Sequence, residues 1–312
     1  YDLNIWMFKQ LQKTITGWPG GKPNFSDENR PERAEPAQKK CLIFSPHPDD
    51  DVISMGATFA RLIDQGHEVH VAYQTSGNIA VSDEDALRFL EVFETTFQGE
   101  KNLKTLKKEL LSKEVNNMAS PMVRTLKGAI RRSECMGAAR FLKLPLSQLH
   151  FMDLPFYETG TIKKKAPSMT DLNQTIALIE ELKPHQIYAA GDLADPHGTH
   201  RICLEILFKA LEKLKKEPYM KDCWVWLYRG AWQEWDIHEI EMAVPISPDQ
   251  VAQKRNSILY HQSQKDRVMF QGEDNREFWL RAEERNRDTA LLYNELGMAE
   301  YESMEAFRRY HY

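Results

Sequence analysis

Residues 41–73, CLIFSPHPDDDVISMGATFARLIDQGHEVHVAY, decide the fold. The stretch opens with a short apolar run (41–46), continues with apolar residues at helical intervals over 52–65, and closes with the strand-like alternation of Val69, Val71 and Tyr73. Strand, helix, strand within about 35 residues is a βαβ unit, which implies a parallel sheet with a right-handed crossover. Outward from it, 149–154, 187–190 and 224–228 read as further strands, with helices over 171–182 and 199–214 between them. That alternation is an α/β layered domain. A helical excursion from 82 to 142 interrupts the sheet, and the part from 248 onward reads as mainly helical.

Upstream, residues 18–40 hold four prolines and two glycines with few apolar residues, the composition of a linker. Before it, Ile5, Phe8, Leu11 and Ile15 stand at helical spacing. The expected organisation is therefore an N-terminal helix and Pro/Gly-rich linker over 1–40 and one domain over 41–312. A chain that opens on Tyr1 rather than Met is expected to be part of something longer.

The composition sets limits on function. The chain has 312 residues, 42% hydrophobic and 28% charged, which is ample for a buried core. Lys and Arg number 41 against 46 for Asp and Glu, a net charge of −5, so a dedicated nucleic-acid binder is not expected. No 18-residue apolar run and no secretory leader pattern occur, so no membrane span is expected. Cys41, Cys135, Cys203 and Cys223 form no Cys-x-x-Cys pair, which points to a reducing, cytoplasmic setting rather than a disulfide framework.

Chemistry concentrates at two strand ends. The first strand runs into Ser45-Pro46-His47-Pro48-Asp49-Asp50-Asp51 directly before a helix, and ligands of parallel sheets sit at such carboxyl ends. One Asp would suffice to cap that helix. Three adjacent carboxylates repel one another, and a bound cation explains why they are tolerated. A second cluster, Asp192 and Asp195-Pro196-His197-Gly198-Thr199-His200, also follows a short strand and opens a helix. Three N/O ligands with a fourth position left to water are what a catalytic zinc site requires, and without a nearby thiolate Fe2+, Mn2+ or Co2+ would also suit.

His47-Pro48-Asp49-Asp50 resembles the His-Pro-Asp-Asp signature of the PIG-L/LmbE-like zinc deacetylases. Asp195 to His200 is a degenerate version of their later signature, and the resemblance runs from about 41 to 264. It implies a Rossmann-like three-layer α/β fold and a zinc-dependent hydrolase that removes the N-acetyl group from an N-acetylglucosamine-type small molecule. By the same resemblance His47, Asp50 and His200 would hold zinc, Asp49 would act as general base and His197 would face the reacting carbonyl. Asp51 stands where Glu is commoner, and Gly198-Thr199 replace Pro-Asp, so Asp195 or Asp192 becomes the candidate partner of His197. The linker and domain also resemble the C-terminal region of long bacterial glucosamine-6-phosphate deaminase proteins, which implies an upstream deaminase domain. The rival readings are an appendage of such a deaminase and a non-catalytic sugar-binding or assembly domain.

Four further features carry weaker expectations. Glu134 falls in the apolar stripe of a helix with Arg131 three residues before it, which reads either as an anchoring pair or as a substrate-facing arginine. Thr75-Ser76-Gly77-Asn78 ends the second strand at the same edge, where Asn78 could bind sugar hydroxyls or belong to a turn. His261 reads as a helix-end packing residue. Residues 101–143 hold eleven Lys and Arg against three Glu, a basic run that could attract a phosphorylated sugar or simply face solvent.

Overall fold

The computed structural model describes residues 1–24, 30–97, 101–112, 119–161, 163–191, 198–231, 233–265 and 276–312. After α1 (Asp2–Thr14), β1 (Lys40–Ser45) is buried along all but its first residue, as expected of a strand covered on both faces. The chain continues through α2 (Asp50–Asp64), β2 (Glu68–Tyr73), α3 (Asp83–Thr96), α4 (Lys101–Ser112), α5 (Pro121–Phe141) and β3 (Leu149–Phe151). It then forms α6 (Met169–Leu182), β4 (Gln186–Ala190), α7 (Thr199–Leu214), β5 (Trp224–Tyr228), β6 (Met242–Ile246), α8 (Pro248–Leu259), α9 (Phe278–Glu295) and β7 (Ser303–Tyr310).

Among the described residues these strands form one sheet in the order β3-β2-β1-β4-β5-β7-β6. The βαβ unit expected from 41–73 is present: β1 pairs with β2 in parallel, Cys41 opposite Val69 and Ser45 opposite Tyr73. On its other side β1 pairs in parallel with β4, Leu42 opposite Ile187. The strand order therefore reverses between β1 and β4, and their carboxyl ends form the crevice where α/β folds bind ligands. The fold is the three-layer, mostly parallel α/β class expected from the sequence.

Alternation along β1 divides the core. Leu42 and Phe44 face α6 and α7 with Leu172, Ile179, Leu207 and Leu211. Cys41 and Ile43 face α2, α5 and α8 with Val52, Phe59, Ala139 and Ile258. Truncating a buried aromatic such as Phe59 in a layer like this costs about 3–5 kcal/mol. The excursion read over 82–142 is α3, α4 and α5, which share a satellite core of Leu90, Leu106, Leu110, Val123 and Ile130.

The C-terminal part holds the expected helices α8 and α9 and also a strand that the sequence reading does not mark. β7 runs antiparallel between β5 and β6. Residues of the N-terminal segment lie against this sheet. The Thr16 amide donates to the Ala243 carbonyl at 2.9 Å, Gln186 Nε2 donates to the Pro19 carbonyl at 3.0 Å, and Arg33 pairs with Asp222 at 2.7 Å. No helix among the described residues is long and apolar enough to cross a membrane.

Candidate metal and catalytic site

Pro46 and Pro48 carry the chain from the end of β1 to the first turn of α2, and this short bend fixes where four ionisable side chains sit. Asp49 occupies the N-cap position yet makes no side-chain capping bond. Its Oδ2 instead lies 2.9 Å from Arg131 Nη2. Helix capping therefore does not account for Asp49. Asp50 Oδ2 accepts the His47 amide at 2.8 Å, which ties the carboxylate back to the bend.

His200, the second residue of α7, reaches the same point from the end of β4. His47 Nδ1 is 3.3 Å from Asp50 Oδ2, His200 Nε2 is 3.1 Å from Asp50 Oδ2, and the two imidazole nitrogens are 3.3 Å apart. A tetrahedral zinc with bonds near 2.0–2.1 Å requires neighbouring ligand atoms about 3.3 Å apart. The three side chains thus form one face of such a tetrahedron, and they are a group whose ligand atoms all lie within 4.8 Å. Burial raises the Asp50 pKa, but the imidazoles of His200 and then His47 win and hold the carboxyl well below the usual range.

Asp51 turns away from this face. Ser45 Oγ at 3.2 Å and the Tyr73 hydroxyl at 3.1 Å donate to its carboxylate, and burial pushes its pKa up to about 7. Arg131 is 1% exposed and lies between two acids, Asp49 and, at 3.5 Å from Nη1, Glu134. Burial works against the guanidinium's charge, and Asp49 and Glu134 more than offset it. Glu134 in turn accepts the Ser263 amide at 2.6 Å and the Ser263 hydroxyl at 2.8 Å. A chain of contacts therefore runs from Ser263 through Glu134 and Arg131 to Asp49. The Arg131–Glu134 pair read from the sequence exists, and the Asp49 partner adds to it. In the sequence, Ser263 carries no signal beyond its place in Tyr260-His261-Gln262-Ser263-Gln264.

Asn78 is engaged locally: its amide donates to Glu158 at 2.8 Å and to Ser76 Oγ at 2.7 Å. Gly77 has φ +64, and a Cβ there would sit 2.8 Å from Pro48 Cδ, so the turn needs glycine to bring this loop against the His47 bend. Beside it, Ser76, Arg124, Gly128, Arg132, Asp153 and Glu158 line a cavity of about 420 Å3. His261 follows α8, is buried, and borders a small pocket shared with Asp49; burial pushes its imidazole down to about 4. His197, Asp195 and Asp192 lie outside the described residues.

Several bases of the run 101–143 have acidic partners. Lys107 pairs with Glu94 at 2.8 Å and Glu91 at 3.4 Å, Lys127 pairs with Asp83 at 2.6 Å, and Arg132 pairs with Asp153. Away from the site, His70 Nδ1 lies 2.9 Å from His150 Nε2, a pairing made by the parallel β2–β3 register and invisible in linear spacing.

The family profile of PIG-L, described as GlcNAc-PI de-N-acetylase, matches residues 42–211, more than half of the chain. The chain belongs to the PIG-L family. A curated relative from Bacteroides thetaiotaomicron, named as a glucosamine-6-phosphate deaminase-like protein, is 54% identical over 321 residues. That alignment covers 99% of this chain and 48% of the relative, so the chain spans about half the relative's length. Among solved structures, N,N'-diacetylchitobiose deacetylase from Pyrococcus horikoshii aligns with TM-score 0.55 and 20% identity over 87% of this chain and 84% of that one. The 4-carboxy-2-hydroxymuconate hydratase GalB from Pseudomonas putida aligns with TM-score 0.57 and 16% identity over 88% and 97%. At these identities the likeness is one of fold, and the fold hosts more than one kind of reaction.

Proposed function

We propose that this PIG-L family chain is a metal-dependent amide hydrolase that removes the acetyl group from the 2-amino nitrogen of an N-acetylglucosamine-type sugar. The observation that carries the reading is the triangle of His47, Asp50 and His200, with the carboxylate of Asp49 next in the chain and held by a buried arginine. The donor set fits Zn2+ best, and Fe2+, Mn2+ or Co2+ would also accept it. When bound, such an ion supplies Lewis acidity and makes a coordinated water more acidic.

In this reading the protein's own groups divide the remaining work. Asp49, fixed through one oxygen by Arg131, takes a proton from the attacking water and delivers it to the leaving amine. Asp51 supports the bend from behind. His197, for which Asp195 or Asp192 is the candidate partner, would stabilise the oxyanion, a role worth about 3 kcal/mol in comparable sites. The cavity beside Ser76 is where the sugar would lie, with Asn78 shaping its wall through Glu158. The reading takes 41–312 as the catalytic domain and 1–40 as a helix and linker. In a longer chain it would work beside a deaminase domain. Four free buried thiols suit a cytoplasmic location.

A second reading follows from the deaminase-like relative: a role in amino-sugar metabolism without deacetylation. Incubation with N-acetylglucosamine and its 6-phosphate, scored for acetate, and in parallel with glucosamine 6-phosphate, scored for ammonia, separates the two. Acetate release supports the deacetylase, while ammonia alone or neither product overturns it. Asp49→Asn should keep the metal and lose roughly 100-fold in kcat, whereas Asp50→Asn should also lose metal. Equal metal loss in both variants would mean that the two adjacent carboxylates have been assigned the wrong way round.

A further inference from the structure

The helix that carries Asp50 is bent. Met55 has φ −137 and ψ 27, well outside helical values, so the turn bearing Asp50 and Asp51 is set at an angle to the rest of α2. A bend in a buried helix needs an identifiable cause, because backbone groups released from the ladder must find other partners. Here the partners are side chains from the C-terminal elements. The amides of Ala57 and Thr58 donate to the two carboxylate oxygens of Glu305 on β7, at 3.1 and 2.7 Å. The carbonyl of Ser54 accepts from Arg285 Nη2 on α9 at 3.2 Å.

Lys254 on α8 joins these groups. Its ammonium lies 2.6 Å from Glu305 Oε1, donates to Asn286 Oδ1 at 2.7 Å, and reaches the Ser54 carbonyl at 3.5 Å. Lys254 is 2% exposed and Glu305 0%. Gly56, inside the bend, allows this approach, since a Cβ there would stand 3.1 Å from Lys254 Cγ. Arg285 also donates to the carbonyls of Arg229 and Gly230, at the carboxyl end of β5, and pairs with Glu234 at 3.2 Å. One buried group of charges therefore ties the bend of α2, next to its first turn, to the carboxyl edge of the sheet where the proposed ligands gather.

We propose that Lys254, Glu305 and Arg285 are positioning residues that hold α2 bent and so place the Asp50 carboxylate on the His47–His200 edge. This rests on the reading of those three side chains as a metal site. A straight α2 would return the Ala57 and Thr58 amides to the helix ladder and swing its first turn, moving Asp50 relative to two imidazoles anchored on other elements. None of the three positioning residues touches the proposed ligands, so their effect must pass through backbone geometry.

The test is Zn2+ affinity by competition with a chromophoric chelator, together with urea denaturation of metal-free protein. It uses wild type, Lys254→Met, the paired Lys254→Met/Glu305→Leu, and Gly56→Ala. Replacing both members of a buried ion pair by apolar residues is often neutral or stabilising. The paired variant is therefore expected to keep wild-type metal-free stability yet bind Zn2+ at least tenfold more weakly, with kcat falling and KM for substrate moving less than twofold. Gly56→Ala keeps every charge and is expected to weaken Zn2+ binding severalfold by pressing on Lys254. If folded variants bind Zn2+ within twofold of wild type, the group is structural only and the proposal is overturned. Wild-type protein that binds no transition metal overturns the metal-site reading and this proposal together, so the two failures are distinguishable.

Discussion

Two buried charge clusters flank α2, and they are built on opposite terms. Around its first turn, Asp49, Asp50, Asp51 and Glu134 set four carboxylates against the single guanidinium of Arg131, counted among the described residues. At its bend, Lys254 and Arg285 meet Glu305 and Glu234 in equal number, each within 3.2 Å of a partner. The second cluster completes itself: charges pair and the released backbone groups are capped. The first is left short of positive charge on the side where the imidazoles converge. A region that satisfies itself serves the fold, whereas one that remains short of a cation serves a ligand and tends to lower stability.

The sharpest way to break this comparison is to remove one member from each cluster and measure both properties. Lys254→Met leaves Glu305 buried without its cation and is expected to lower urea-denaturation stability by about 3–5 kcal/mol. His200→Ala is expected to leave metal-free stability within about 1 kcal/mol of wild type while elemental analysis finds no bound transition metal. Were His200→Ala the more destabilising, the division of labour would be wrong.

A smaller effect is expected along the chain of contacts behind Asp49. Glu134→Gln keeps a hydrogen-bonding side chain for Ser263 but removes the charge that helps to fix Arg131. We expect kcat to fall about tenfold, close to 1.4 kcal/mol of transition-state stabilisation, with metal content unchanged. An unaltered kcat would show that Asp49 needs Arg131 alone.

The smallest expected effect concerns His67, remote from both clusters, whose Nδ1 accepts the Lys39 amide at 3.1 Å. Burial lowers its pKa from 6.5 to about 4. Between those values the unfolded chain takes up a proton that the native state refuses, so stability falls as pH drops through this window and is unaffected above it. The loss should be about 1–2 kcal/mol by pH 5.5. His67→Gln should show a correspondingly flatter dependence when Tm is followed from pH 7 to 4. Parallel curves for the two proteins would count against it.

The legibility of these regions follows from how far apart in sequence their parts lie. β1, α2 and β2 show their nature within 34 consecutive residues, and so do His47 and Asp50, the proposed ligands at their junction. Local periodicity and a dense acidic run are visible without a partner. β6 and β7 are different. Pro245 and the charged Arg308 and Arg309 disguise them, and a proline is tolerated in β6 because that strand forms the sheet edge. The bend at Met55 was equally hidden, since its cause is a glutamate about 250 residues later. The basic surplus of 101–143 is visible in the sequence, but its neutralisation by Asp83, Glu91 and Glu94 depends on how α3 packs against α4 and α5.

The insertion of β7 between β5 and β6 also governs the order in which the molecule can be completed during synthesis. β5 ends at Tyr228 and its antiparallel neighbour begins at Ser303, so about 75 residues separate them. At ribosomal rates of roughly 5–20 residues per second, that gap amounts to about 4–15 seconds. For that time β5 presents an unpaired hydrogen-bonding edge, the feature most prone to join another chain. Glu305 arrives on the same strand, so the bend in α2, made about 250 residues earlier, acquires its carboxylate only once β7 has emerged. The proposed metal-binding geometry is thus expected to mature only after β7 has joined the sheet, later than the βαβ unit that carries His47 and Asp50.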